Sequence, residues 1–258
     1  MDKQYSYALN SPPDSRDYLV GVPIVRYTPS YASLTKKFSP DIGNQSHYNA
    51  CTGFGSAGML RVYFDSTIGV KLNVSPWWIW WHGRVRSGFK GTPNGVYIRE
   101  LFKVFQKDGV ILQNTWKPKN PVKEEPPNYP DKYRLKIDRY RRLNFSTIGN
   151  LQNVIIHYID TLKLPIGISI KITDEFDQTA KTGVYKYNRN GRLRGSHWVY
   201  IEGFSNHGEN VSIVNSYGLR WGNRGLFTMS ITDLFECINE GWMIDQFCLS
   251  NLEHKNII

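Results

Sequence analysis

The spacing of apolar residues changes from a helical to a strand period about halfway along this 258-residue chain. Before residue 117 they recur every three or four positions, as in Ile98–Phe105, which is typical of helices with one buried face. In Ile166–Ile172 they alternate instead, which predicts a half-buried strand. Helices followed by strands predict an α+β fold with two lobes.

The first predicted helix, from about Ala50 to Asp65, is unusually rich in glycine. It contains Gly53, Gly55 and Gly58, and each costs about 1 kcal/mol relative to alanine inside a helix. We therefore expect packing to stabilise it, with neighbours approaching closely where side chains are missing. These glycines also fit G-x-G-x-x-G, but a dinucleotide site needs a preceding strand. A polar loop precedes them here, which disfavours that alternative.

Further helices are marked by capping residues and breakers. Ser75-Pro76 is an N-cap with proline at the first helical position, and four tryptophans follow within Trp77–Trp81. We interpret this aromatic run as inter-helix core, with one or two rings lining a groove. Asn94 is predicted to cap the next helix, which ends at Gly109. A fourth helix is predicted over Ile148–Leu162.

The later strands have the spacing of an antiparallel sheet or barrel. The candidates beyond Ile166–Ile172 are His197–Phe204, Asn210–Asn215, Gly225–Ser230 and Met243–Leu249, with a turn at Asn188–Gly191. We expect one domain over residues 1–258. Its parts are an arm (1–44) with one short strand near Tyr18–Val25, a helical lobe (45–116), a basic crossover loop (117–145) and a β-rich lobe (146–250).

The amino-acid composition and the absence of targeting patterns limit the class of protein and its expected cellular compartment. Hydrophobic residues make up 40% and charged residues 21% of the chain, which excludes a wholly disordered protein. The first residues hold no signal-peptide pattern, and no stretch could span a membrane. We therefore expect the protein to be located in the cytoplasm of a bacterium or of a virus-infected cell, and association with a virus particle is an alternative location. The oligomeric state is not encoded in any recognisable pattern.

The chain carries a net charge of +10, and half of it lies in residues 117–142. That window has nine lysines and arginines against four acidic residues, with tyrosines among them. Such a pattern could contact an anionic partner, or it could be a solvated basic surface. We keep both interpretations.

Only one of the three cysteines has the context of a nucleophile. Cys51 follows a polar loop and opens the glycine-rich helix, where unpaired N–H groups and the helix dipole favour a thiolate. Cys237 and Cys248 lie among apolar residues, and we interpret them as buried small hydrophobes. Three cysteines are too few for a disulfide framework.

A cysteine nucleophile needs a base and a group that orients the base. Of the six histidines, His197 starts a predicted strand after a glycine-containing turn, where a scaffold can present a catalytic group. Asn215 ends the next predicted strand, and its amide could accept the imidazole N–H and fix the tautomer.

These residues stand in motifs that resemble the papain-like cysteine peptidases. Gln45 lies six residues before Cys51, as the family's oxyanion glutamine does. His197 opens His-Trp-Val-Tyr-Ile-Glu-Gly-Phe, similar to the family's histidine strand. Asn215 opens Asn-Ser-Tyr-Gly-Leu-Arg-Trp-Gly, similar to its Asn-Ser-Trp-Gly-x-x-Trp-Gly. The resemblance covers about residues 14–249.

The resemblance implies a two-lobe fold with the active cleft between a helical and a β-barrel-like lobe. It implies a cysteine endopeptidase acting on peptide or protein substrates through Cys51, His197 and Asn215, with Gln45 helping to hold the oxyanion. Trp221 would shield the histidine–asparagine contact, and Gly95 would pair with substrate backbone. No cofactor is expected, and no spacing typical of a metal site is present.

The chain also departs from the family pattern around the nucleophile. Tyr48, Asn49 and Ala50 stand where relatives commonly have Cys-Gly-Ser, and Thr52 replaces a tryptophan. Bulk at Asn49 would narrow the cleft. These changes leave two alternatives open: an inactive papain-like structural or interaction module, for example of a virus particle, and a cell-wall peptide amidase with the same Cys, His, polar order.

Overall fold

The computed structural model describes residues 8–35 and 42–247. That part of the chain forms six α-helices and nine strands, with a few short 3₁₀ or π-helical turns. The helices are α1 (Cys51–Ile68), α2 (Pro76–Arg86), α3 (Ile98–Lys103), α4 (Ile148–Ile156), α5 (Phe176–Thr182) and α6 (Ile231–Cys237). Among these residues no helix is both long and apolar enough to cross a membrane.

The strands are β1 (Ala8–Leu9), β2 (Tyr31–Ser33), β3 (Val96–Tyr97), β4 (Ile137–Arg142), β5 (Ile166–Thr173), β6 (Leu193–Ser205), β7 (Asn210–Val214), β8 (Leu226–Ser230) and β9 (Ile238–Phe247). Seven of them form one antiparallel sheet: six lie in the order β4-β9-β5-β6-β7-β8, and the seventh, β2, also pairs with β6. Strands β1 and β3 form a separate parallel pair. The predicted α+β class is confirmed.

Helix α1 packs against both α2 and the sheet through its glycines. A Cβ on Gly53 would lie 2.3 Å from the Pro76 carbonyl oxygen at the start of α2. A Cβ on Gly55 would lie 3.0 Å from the Trp198 backbone oxygen on β6. The absent side chains thus allow close approach on two sides, and the packing interpretation of this helix is confirmed.

The N-cap of α2 is as the sequence predicts. The Ser75 side chain accepts a hydrogen bond from the backbone N–H of Trp78, and Pro76 occupies the first turn. Trp78 and Trp80 are fully buried, whereas Trp77 is half-buried at the edge of the helical region. The aromatic run is therefore mainly core.

The predicted cap at Asn94 is wrong. Helix α3 begins at Ile98, because Val96 and Tyr97 are extended and pair with β1. A π-helical turn over Val104–Asp108 prolongs α3, and Gly109 ends it with φ of 72°. Helix α4 is prolonged by a similar turn over His157–Thr161.

Three strand expectations also need correction. Tyr18–Val25 forms no strand: Leu19 makes one isolated bridge to Arg142, and Pro23 has no N–H with which to continue pairing. The crossover loop ends in a strand, because Ile137–Arg142 pairs with β9 at the edge of the sheet. Strand β5 is buried on both faces rather than one, since it lies in the middle of the sheet.

The N-terminal arm is held on the body by buried polar contacts. Asp17 forms ion pairs with Arg99 at 2.6 Å and with Arg142 at 3.3 Å. The backbone N–H of Ser11 donates to the buried Glu240 carboxylate at 2.7 Å. Both contacts link the arm to residues that are more than 80 positions away in sequence.

Candidate active site

The predicted nucleophile opens α1. Cys51 is the first residue of the helix and is fully buried, and the N-cap residue Ala50 has no side chain that could cap the helix. The first turn also contains no acidic residue. The partial positive charge of the helix N-terminus is therefore available to an anion at Cys51.

The predicted base, His197, is hydrogen-bonded to Asn215. It lies inside β6 rather than at the start of a strand, because Gly195 and Ser196 already pair with β5. Nε2 of His197 is 2.6 Å from Oδ1 of Asn215, which also accepts the backbone N–H of Ser216 at 2.7 Å. Because a carbonyl oxygen only accepts, Nε2 carries the proton in this pair. Nδ1 has no hydrogen-bond partner among the described residues, so it is the position at which a neutral His197 can accept a proton.

Burial lowers the pKa of His197 to about 4, and the hydrogen bond with Asn215 opposes this shift. The imidazole is therefore neutral at pH 7 in the free protein. A neutral ring with Nδ1 unprotonated can act as a general base.

Aromatic rings cover the histidine. Tyr217 stacks on His197 with the ring centroids 5.1 Å apart, and Phe176 meets it edge-on at 5.7 Å. Trp221 packs against both of these rings, at 5.7 Å from Tyr217 and 5.4 Å from Phe176. Phe176, on α5, stands in no recognisable motif, so its position beside His197 could not be predicted from the sequence.

The predicted oxyanion residue, Gln45, has its amide fixed at both ends. Oε1 accepts a hydrogen bond from the Ser216 hydroxyl at 2.6 Å, and Nε2 donates to the Tyr48 carbonyl at 2.8 Å. The backbone N–H of Gln45 also donates to the Ser216 carbonyl at 2.9 Å. Ser216 therefore contacts both Gln45 and Asn215, a connection that sequence reasoning missed although the residue lies inside the quoted motif.

Contacts between α1 and β6 bring the two halves of the site together. Trp198, which follows His197, meets Gly55 and donates from Nε1 to the Ser56 hydroxyl at 3.0 Å. Gly58 meets Tyr200 farther along the same strand. The second turn of α1, which follows Cys51, therefore packs against the part of β6 that follows His197.

Residues 40–241 match the family model of the papain family cysteine proteases. This chain belongs to the papain family of cysteine proteases.

Solved structures of other papain-family proteases have the same fold. Xylellain, a cysteine protease from Xylella fastidiosa, has a TM-score of 0.82 at 20% identity, over 95% of this chain and 97% of that one. Procathepsin B from Trypanosoma congolense has a TM-score of 0.75 at 13% identity, over 95% and 87% of the two chains. A Carica candamarcensis cysteine protease, solved with E-64, has a TM-score of 0.67 at 17% identity, over 84% and 99%. A comparison with curated proteins gave no significant match.

In this papain-family chain, Gly95 is buried in the segment before β3. The carbonyls of the three preceding residues all accept side-chain hydrogen bonds. These are Thr92 from Arg84 at 2.5 Å, Pro93 from Asn49 at 3.0 Å, and Asn94 from Trp80 at 3.2 Å. Asn49, the departure from the family pattern, thus connects the loop before Cys51 to the segment before Gly95.

The remaining cysteines differ from Cys51 in their surroundings. Cys237 is buried at the end of α6, and burial raises the pKa of its thiol well above the ordinary value. This fits its interpretation as a small hydrophobe. Cys248 lies outside the described residues. No disulfide is present in residues 8–35 and 42–247.

The basic segment uses many of its cations within the protein. Five of them bond to acidic side chains or backbone carbonyls: Arg134 to Tyr129 and Asp108, Lys136 to Asp131, Arg139 and Arg141 to Asp245, and Arg142 to Asp17. An anionic partner for residues 117–142 stays a prediction.

Proposed function

We propose that this protein is an active cysteine endopeptidase in which Cys51, His197 and Asn215 form the catalytic triad. The observation that carries the proposal is the 2.6 Å hydrogen bond between His197 Nε2 and Asn215 Oδ1. It leaves Nδ1 as the proton-accepting atom, on the strand that packs against the helix opened by Cys51. Papain-family membership supports the same chemistry.

In the first half of the reaction, His197 Nδ1 accepts the Cys51 proton. The thiolate then attacks the carbonyl carbon of the substrate, and a carbon–sulfur bond forms. The carbon–nitrogen bond breaks as the imidazolium returns the proton to the leaving amine. In the second half, His197 accepts a proton from water as the water oxygen bonds to the thioester carbonyl carbon. The carbon–sulfur bond breaks, the carboxylic acid product is released, and the imidazolium returns its proton to the Cys51 thiolate.

The negative charge on the carbonyl oxygen needs preorganised donors. We assign this role to the Gln45 side chain and the Cys51 backbone N–H. Gln45 Nε2 carries two donor hydrogens, and it donates to the Tyr48 carbonyl in the loop that leads to Cys51. The Ser216 hydroxyl donates to Oε1, which disfavours the flipped amide that would present an oxygen to the oxyanion.

An inactive papain-like module is the second candidate, and burial is the observation that favours it. Cys51 and His197 are both 0% exposed. A substrate can reach them only if surrounding groups move, and a protein used for structure has no need of such movement.

Labelling separates the two candidates. An epoxysuccinyl probe, followed by mass spectrometry, should modify Cys51 at neutral pH in the wild type and in Cys237→Ala, and should not modify Cys51→Ala. An internally quenched peptide blocked at both ends should be cleaved by the first two proteins only. A folded protein with Cys51 unlabelled, or labelled only at Cys237 or Cys248, contradicts the peptidase proposal and supports the inactive module.

Two substrate controls define the activity further. Cleavage restricted to peptides with unblocked ends contradicts endopeptidase action while leaving peptidase action intact. Release from peptidoglycan without cleavage of any peptide substrate favours the cell-wall amidase instead.

A further inference from the structure

The bond between Asn49 and Pro93 crosses the space between the nucleophile loop and the segment that precedes Gly95. Asn49 Nδ2 donates to the Pro93 carbonyl at 3.0 Å. Asn49 lies two residues before Cys51, and Pro93 lies two residues before Gly95. The bond therefore joins the residues just before Cys51 to the residues just before Gly95.

This bond belongs to a built arrangement. The Thr92 carbonyl accepts from Arg84 and the Asn94 carbonyl accepts from Trp80, so Pro93 lies between two fixed neighbours. Arg84 and Trp80 are themselves buried on α2. Pro93 cannot move away from Asn49 without disturbing contacts made by both of these side chains.

A bound substrate has to fit this arrangement. In the proposed peptidase its scissile carbonyl lies at Cys51, and the backbone of the preceding residue pairs at Gly95, the role that the family resemblance implies for that glycine. We call the substrate residue that carries the scissile carbonyl the acyl residue. In an extended chain neighbouring residues are about 3.3 Å apart. The acyl residue and the residue before it are therefore held one residue apart, at Cys51 and Gly95, and the side chain of the acyl residue extends into the region between these two residues. That is the space which the Asn49–Pro93 bond crosses.

We propose that the Asn49–Pro93 bond makes this protein selective for glycine as the acyl residue. The inference rests on the proposed peptidase function and adds its substrate class. Glycine has no side chain to place in the closed space, whereas leucine or arginine would have to break the bond. The bond is exposed in the free protein, so the cost arises because a bulky acyl side chain would break the bond and also cover the Pro93 carbonyl from water, whereas glycine would do neither.

The experiment compares blocked, internally quenched peptides that differ only at the acyl residue, which is glycine, alanine, leucine or arginine. For the wild type we expect kcat/KM for glycine to exceed that for leucine by about 100-fold, as for a pocket that excludes several carbon atoms. Asn49→Ala should reduce this ratio at least about tenfold, mainly by raising kcat/KM for leucine. Asn49→Asp keeps the bulk but cannot donate to Pro93, and it should also reduce the ratio.

Asn94→Ala is the matched control. It removes an exposed asparagine side chain from the same segment, while the backbone carbonyl that accepts from Trp80 is retained. Its glycine-to-leucine ratio should equal that of the wild type. Thermal unfolding of each variant shows that any change in ratio comes from folded protein.

The outcomes distinguish this inference from the proposed function. A wild type that is labelled at Cys51 and cleaves leucine as well as glycine peptides, or no glycine peptide at all, overturns the glycine selectivity alone. An unchanged ratio in Asn49→Ala also overturns it alone. A wild type that is neither labelled at Cys51 nor active on any peptide overturns both.

Discussion

Replacing Gly53 with alanine tests whether α1 and α2 need a residue without a side chain at their contact. The new Cβ would lie 2.3 Å from the Pro76 carbonyl oxygen and 3.0 Å from the Trp80 Cβ. Ordinary van der Waals contacts of a Cβ begin at 3.4 Å, so the helices must separate by about 1 Å. The nearest obstacle is backbone, which cannot rotate out of the way as a side chain can.

Two opposing effects set the magnitude. Alanine stabilises a helix interior by about 1 kcal/mol relative to glycine. Overpacking a buried contact costs about 1–3 kcal/mol, and the backbone clash places this site at the upper end. We expect the free energy of unfolding to fall by about 2 kcal/mol. For a chain of this size, that corresponds to a Tm about 4–8 °C lower.

Gly149→Ala in α4 is the control for this measurement. Gly149 is exposed, and the nearest atom to its new Cβ would be the Thr147 hydroxyl at 4.0 Å. Helix propensity alone applies there, so we expect a gain of up to about 1 kcal/mol. Thermal and urea unfolding of both variants give the comparison. A Gly53→Ala protein at least as stable as the wild type would refute the packing explanation for the glycine-rich helix.

Two further predictions concern the site and its pH dependence. Ser216→Ala removes the hydroxyl that holds the Gln45 amide, and we expect kcat to fall about tenfold with KM nearly unchanged. Ser216→Thr keeps the hydroxyl and should keep most of the activity. Equal kcat values for Ser216→Ala and the wild type would contradict this role. Burial lowers the pKa of both His82 and His197 to about 4. Between pH 6.5 and 4 the unfolded chain therefore binds more protons than the folded protein. As a result, the free energy of unfolding falls as the pH is lowered through this range. His82→Phe keeps a ring against Trp78 and should reduce the slope by up to about 1.4 kcal/mol per pH unit in urea titrations. A slope equal to that of the wild type would show that His82 does not titrate in this way.

The α+β class, most helix positions and the family can be predicted from the amino-acid sequence alone. These properties depend on local patterns: the change of apolar period, the Ser75-Pro76 cap, and the short spacing from Gln45 to Cys51. The glycines of α1 also allowed a correct expectation of close packing, because glycine inside a helix needs a compensating contact. The capping signal failed at Asn94 and composition failed at β4, because pairing with distant strands decided the backbone conformation at both places.

The tertiary structure alone decided how the site residues are supported. Ser216 meets Gln45 across 171 positions of sequence, and the Trp198 indole meets Ser56 across 142. Phe176 covers His197 from a helix that stands in no motif. The Asn49–Pro93 bond turns a departure from the family pattern into a proposed determinant of specificity. Contacts such as these depend on which surfaces meet when helices pack on a sheet. The residues that meet are far apart in sequence, so no local spacing pattern in a single sequence predicts the contacts.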